Sequence, residues 1–189
     1  STQARLLAES LRTRRRLEVL LVREPGGTTL GERLRDLVLD PESGDLAPET
    51  ELFLFMAARA HLVRTRIRPA LDAGQVVVSD RFLWSSVVYQ GLAVGQPAAE
   101  ILRMGRMALD GVRPTRIIIV DVDPKVALAR VRDSNRMEGR GIEFQRRVRR
   151  GFLRLALALS AVVKVRPNKK PVERTRRERP GDLGHPRTS

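Results

Sequence analysis

The chain has no cysteine in its 189 residues, which excludes disulfide stapling and zinc–thiolate sites. No apolar run approaches the roughly eighteen residues that a membrane-spanning helix needs. No basic start followed by an apolar middle marks a signal peptide, so the expected location is the cytoplasm. Aromatic residues are few: five Phe, one Tyr and one Trp. They form no stacking platform of the kind that single-stranded nucleic acid requires. Acidic residues are the minority charge, 22 against 36 Lys and Arg, which leaves a formal net charge of +14.

That surplus is concentrated in segments. Residues 129–154 carry nine basic and three acidic side chains, and residues 164–189 carry the same numbers. Residues 24–128 hold twelve basic and fourteen acidic ones. Charge gathered in this way suits a polyanionic ligand, nucleic acid or a solvated face.

The length fits a single α/β domain. Val76-Val77-Val78 reads as a short strand buried on both faces, breaking at Ser79 into Asp80-Arg81. Leu17–Val22 reads as a second strand, ending at Arg23-Glu24 before the turn signal Pro25-Gly26-Gly27. Arg116–Asp121 reads as the best buried strand of all. Between them lie helical patterns. One places Ala4, Leu7, Ala8 and Leu11 on one face. Another is capped by Thr28 or Thr29 and turns Leu30, Leu34, Leu37 and Val38 inward. A long one opens at Pro48-Glu49, with acidic residues in its first turn as the helix dipole favours, and Pro69 starts a new segment. Further helices are expected over 97–109, 124–131 and 143–161, and a last strand over 162–165. Strand alternating with helix argues for a parallel sheet covered on both faces.

In such a sheet the carboxyl ends of the strands share one edge, where ligands bind. Arg23-Glu24, Asp80-Arg81, Asp121/Asp123 and the arginine-rich loop at 132–140 therefore converge on one crevice. Guanidinium forks match phosphate oxygens bidentately. Carboxylates in the same crevice suit a sugar hydroxyl, a metal or its waters, or a proton.

Five segments then stand out: VREPGGT (22–28) with GERLRDLVL (31–39), ELFLFMAARAHLV (51–63), VVVSDRFLWSSVVYQG (76–91), GVRPTRIIIVDVDP (111–124) and NRMEGRGIEFQRRVRRGFLRLA (135–156). In this order and spacing they resemble the thymidylate kinases, nucleoside monophosphate kinases that phosphorylate dTMP from ATP. The resemblance spans about residues 1–172 and leaves 173–189 as a basic tail expected to be disordered. It implies a P-loop-type nucleoside monophosphate kinase fold, a parallel sheet flanked by helices on both faces.

The same resemblance implies roles. Phe55 would stack on the thymine ring and Arg59 would donate to a base carbonyl. Arg35 and Arg81 would hold the dTMP phosphate, with Glu24 at the sugar end. Tyr89 would pack on the deoxyribose, with Ser85 and Gln90 hydrogen-bonding nearby. Asp80 would sit beside the attacking phosphate and Mg2+. Arg132, Arg136 and Arg140 belong to a stretch similar to the mobile lid over ATP, and would neutralise charge on the transferring phosphoryl group. A homodimer is implied as well. The alternatives are a kinase for another nucleoside monophosphate, a basic nucleic-acid-binding module, and a non-catalytic relative.

One family feature is missing. No Gly-rich loop ending Gly-Lys-Ser/Thr occurs, although it should precede the first helix. Ser1-Thr2 is similar to the end of that motif, which would make both ATP-binding positions and Ser1 a magnesium ligand. The reading is of a chain truncated before its phosphate loop and central strand. Purified residues 1–189 are accordingly expected to show negligible phosphoryl transfer to dTMP in a coupled assay. Turnover at ordinary kinase rates would refute that expectation.

Overall fold

The computed structural model describes residues 2–130, 135–159 and 162–165. Ser1, Arg132 and the tail at 173–189 lie outside the described residues. The elements run α1 (Thr2–Arg15), β1 (Val19–Arg23), α2 (Thr29–Leu39), α3 (Pro48–Leu62), α4 (Arg68–Asp72), β2 (Val76–Asp80), α5 (Leu83–Ser86), α6 (Ala98–Leu109), β3 (Ile117–Val120), α7 (Pro124–Leu128), α8 (Gly141–Ala158) and β4 (Val162–Val165). Two wide π-type stretches, Val63–Ile67 and Val87–Ala93, continue α3 and α5.

The strands pair in parallel, as the βαβ alternation requires, but as two ribbons: β1 with β2, and β3 with β4. Val22 lies opposite Ser79 and Arg23 opposite Asp80, so β2 runs through Ser79 to Asp80 and does not stop at Val78. Both faces of the first ribbon are covered. Val19, Leu21, Val76 and Val78 pack with Ala4, Ala8 and Leu11 of α1. Leu20, Val22 and Val77 face the main core, built from Leu52, Met56, Leu62, Val63, Leu83 and Ile101 among others.

The structure corrects several expectations. Ile117–Val120 is not the most buried strand: Ile118 and Val120 are 48% and 37% exposed. Among the described residues only β4 pairs with it, so the two-sided cover of β1 and β2 is lacking there. In α2, Leu30 and Leu37 face solvent, and Gly31 and Val38 are the buried residues. Two turns of helix separate those positions, so the inward stripe is rotated from the one drawn through the leucines. Leu7 is likewise exposed, and Ala8 is the buried residue of α1.

Pro69 stands in the first turn of α4, as expected of a new segment, but α4 follows the π stretch of α3 without a break. A proline ring collides with the carbonyl four residues back in a regular helix. Widening the preceding turn removes that conflict, and the Arg68 N–H accordingly reaches back five residues to the Val63 carbonyl. One rod therefore runs from Pro48 to Asp72 through a π bulge.

On the far side α8 buries Phe144, Val148, Gly151 and Leu155, a spacing that keeps one face inward. At Gly151 a Cβ would stand 2.8 Å from Val88 Cγ1, so glycine lets α8 lie directly on the 87–93 stretch.

Leu62 is fully buried where α3 meets the turn after β1. Leu62→Ala is expected to destabilise the fold by about 2–5 kcal/mol through lost burial and a residual cavity. Urea unfolding read at constant m-value checks this.

Candidate active site

A cleft of about 560 Å³ opens at the carboxyl ends of β1 and β2. Its walls include nine residues singled out in the sequence: Glu24, Arg35, Phe55, Arg59, Asp80, Arg81, Ser85, Tyr89 and Gln90. They come from six separate elements or loops and meet because the ribbon register places Glu24 beside Asp80, whose carbonyl accepts from the Glu24 N–H at 3.0 Å.

The turn after β1 is shaped by its neighbours. Thr28 caps α2, its hydroxyl accepting from the Gly31 N–H at 2.9 Å. Glu32 in the first turn of α2 accepts from the Gly27 N–H at 2.8 Å and from Arg23 at 2.7 Å. Gly27 has φ of 80°, and a Cβ there would stand 2.9 Å from Leu62 Cδ1, so both backbone and space call for glycine. Arg35 then reaches back along α2 to donate to the Pro25 carbonyl at 2.9 Å.

The floor of the cleft is a buried ion pair. Arg59 Nε donates to Glu24 Oε2 at 2.8 Å, with side chains 2% and 4% exposed. The rest of the guanidinium donates to Met56 Sδ and Ser86 Oγ, each at 3.1 Å. Glu24 Oε1 is buried with no hydrogen-bond partner. Burial pushes the Glu24 carboxyl above the usual carboxylate value, and Arg59 opposes that shift without cancelling it.

Arg23, Arg35 and Arg81 bring positive charge close together in the cleft wall. Burial, then the guanidiniums of Arg23 and Arg81, pull Arg35 below the ordinary arginine value, with Glu32 opposing. Arg81 follows β2 with φ of 74°, a left-handed conformation unusual for a side chain of this size. Its guanidinium lies 5.1 Å from the centre of the Tyr89 ring. Tyr89 itself packs edge-on against Phe144 and Phe152 of α8, with ring centres 6.1 and 6.3 Å away. Asp121 beyond β3 is held by Arg149, whose Nε donates to it at 2.7 Å. Asp123 caps α7 through the Lys125 N–H.

Arg136 and Arg140 sit elsewhere. Arg136 and Arg140 both donate to Glu51 in the first turn of α3, and Arg136 also donates to the Val38 carbonyl at 3.0 Å. Neither faces the cleft, although Asn135 just before them and Met137 and Glu138 between them do. Thr2 begins α1 and is not part of the cleft wall either. Sequence reasoning missed Glu51 and Met56. Glu51 looked like an acid favoured by the helix dipole, and Met56 carries no signal outside the tertiary contact.

The raised carboxyl of Glu24 gives a pH test. A carboxyl that binds its proton more tightly when folded makes the folded state lose stability as pH rises. That loss begins near the ordinary value of 4.5 and continues up to the raised one. Glu24→Gln removes this slope, so the stability of the wild type relative to the variant should fall as pH climbs from about 4.5. Thermal or urea unfolding of both proteins from pH 4 to 8 measures it; a constant difference would contradict the shift.

The comparisons with known proteins agree with one another. The family model described as thymidylate kinase matches residues 1–178. A thymidylate kinase of Symbiobacterium thermophilum is 42% identical over 180 residues, covering 94% of this chain and 84% of that relative. One from a Geobacillus species is 38% identical over 170 residues, covering 87% and 81%. Among solved structures, thymidylate kinase from Ehrlichia chaffeensis superposes with a TM-score of 0.72 at 32% identity, covering 87% of this chain and 82% of that one. The chain belongs to the thymidylate kinase family.

Proposed function

We propose that the cleft at the ends of β1 and β2 is the dTMP site of a nucleoside monophosphate kinase that transfers a phosphoryl group from ATP to dTMP. The observation that carries this reading is the meeting of nine expected acceptor-side residues in one cleft, on a scaffold of this family. Phe55 and Arg59 lie one helical turn apart on α3 and both reach the cleft, which suits gripping a base by its face and its edge. Arg35 and Arg81 also line the cleft and bring positive charge close together, where a phosphate dianion would relieve their mutual repulsion. The orphaned Glu24 Oε1 supplies an acceptor for a sugar hydroxyl. Tyr89, braced by two phenylalanines, forms a fixed wall against the ribose ring and leaves little room for an extra hydroxyl.

The reacting phosphate oxygen is already a good nucleophile, so the protein's task is placement and charge neutralisation. Asp80 at the carboxyl end of β2, in the cleft wall, is placed to orient that end of the acceptor. Among the described residues no three His, Cys, Asp or Glu cluster as metal ligands. Mg2+ is commonly held by one or two carboxylates together with substrate phosphates, and Asp80 fits that modest demand. When bound, Mg2+ supplies charge neutralisation across the phosphates. Assembly as a homodimer and a cytoplasmic location belong to the same proposal. No helix among the described residues is long and apolar enough to cross a membrane.

Calorimetric titration with a panel of nucleoside monophosphates tests the reading. dTMP is expected to bind at least about tenfold more tightly than its ribose or cytosine counterparts, from loss of a buried polar partner or a steric clash. Phe55→Ala and Arg81→Ala are each expected to weaken dTMP binding by about tenfold or more. Asp80→Asn should leave it within about threefold, since its role lies in transfer. Equal affinity across the panel, or steep salt-dependent binding of DNA in place of dTMP, would overturn the assignment.

A further inference from the structure

Glu51 gathers three side-chain partners, yet it does not line the cleft. It is 1% exposed. Its Oε1 accepts from Gln90 Nε2 at 2.7 Å, and its Oε2 accepts from both Arg136 and Arg140. A carboxylate can only accept, so the amide nitrogen of Gln90 must face Glu51 and the amide oxygen must face away. The choice of which way the carboxamide of this cleft residue points is thus made by Glu51.

The same carboxylate fastens the arginine loop. Arg136 is anchored three ways at one place: its Nε and its backbone N–H donate to the Val38 and Leu39 carbonyls, each at 3.0 Å, and its terminal nitrogen to Glu51. The loop itself is folded on Asn135, whose side chain accepts from the Met137 and Glu138 N–H groups. With Arg136 and Arg140 turned toward Glu51, the intervening Met137 and Glu138 are turned into the cleft.

We propose that Glu51 is a positioning residue that couples the acceptor cleft to the arginine loop. One of its oxygens sets Gln90 in the cleft wall, and the other clamps residues 135–140 over that cleft. Occupancy of the cleft and order in the loop then rise and fall together, because both hang on one carboxylate. The coupling to dTMP rests on the acceptor reading; the clamp itself does not.

Hydrogen exchange at the Arg136, Glu138 and Gly139 amides tests both parts on the 189-residue chain. In Glu51→Gln the ligand-free loop should exchange about tenfold faster or more, since two charged hydrogen bonds are lost. Protection of the loop by dTMP, expected in the wild type, should disappear in this variant. Gln90→Met keeps both guanidinium contacts, so its ligand-free loop should exchange as in the wild type while dTMP no longer protects it. Should Glu51→Gln fail to fold, Arg140→Gln removes one arm at a side chain 25% exposed and should still loosen the loop. Wild-type exchange in the loop of Glu51→Gln, or of Arg140→Gln when that substitute is used, overturns the clamp. A loosened loop still protected by dTMP overturns the coupling. A wild type that does not bind dTMP overturns the acceptor reading and the coupling, and the ligand-free comparison still decides the clamp.

Discussion

The cleft depends on one buried ion pair. Arg59 of α3 and Glu24 after β1 are almost wholly removed from water, and Ser86 of α5 takes another guanidinium N–H. Three elements that are distant in sequence are thereby fixed relative to one another at the floor of the site. Such a pair adds little net stability compared with an apolar replacement, but losing one partner leaves a buried charge, at a cost of about 3–5 kcal/mol. The pair therefore acts as a constraint on geometry more than as a source of stability. It also leaves one Glu24 oxygen without a partner, which a folded protein tolerates chiefly where a ligand completes it.

Charge around that floor is sorted by position. Several acids and bases pair off around it: Arg23 with Glu32, Arg149 with Asp121, and Arg136 and Arg140 with Glu51. Arg35 and Arg81 are placed differently: both line the cleft, and Arg81 is close enough to help pull Arg35 below the ordinary arginine value. A phosphate dianion meets this arrangement well, because preorganised guanidiniums gain more from it in a sheltered cleft than in open water. The left-handed backbone at Arg81 and the ring of Tyr89 beneath its guanidinium hold one of these two cations in place.

Much of this was legible in the sequence, for identifiable reasons. Val76–Val78 followed by Asp80-Arg81 announces a strand and a strand end, because β-branched runs and charged pairs are local signals. Pro25-Gly26-Gly27 announces its turn, since only particular backbone angles suit it. What stayed hidden depends on contacts across long sequence distances. Glu51 lies 85 and 89 residues from the arginines that it binds, so it read as a helix-dipole acid. Leu30 and Leu37 read as core because they are apolar, whereas the residues of α2 that are buried are Gly31, against the turn at Gly26 and Thr28, and Val38. The π bulge before Pro69 was invisible because one extra residue in a turn leaves the apolar pattern almost unchanged.

The central claim is geometric: one cleft, built on Arg59 and Glu24, receives dTMP with its base at Phe55 and its phosphate at Arg35 and Arg81. Diffraction from crystals grown with dTMP tests it most directly. The account predicts the thymine ring against Phe55, a sugar hydroxyl within hydrogen-bond distance of Glu24 Oε1, and the phosphate between Arg35 and Arg81. Density for the nucleotide anywhere else, or a phosphate seated on Arg136 and Arg140 with Arg35 and Arg81 left in solvent, would contradict it.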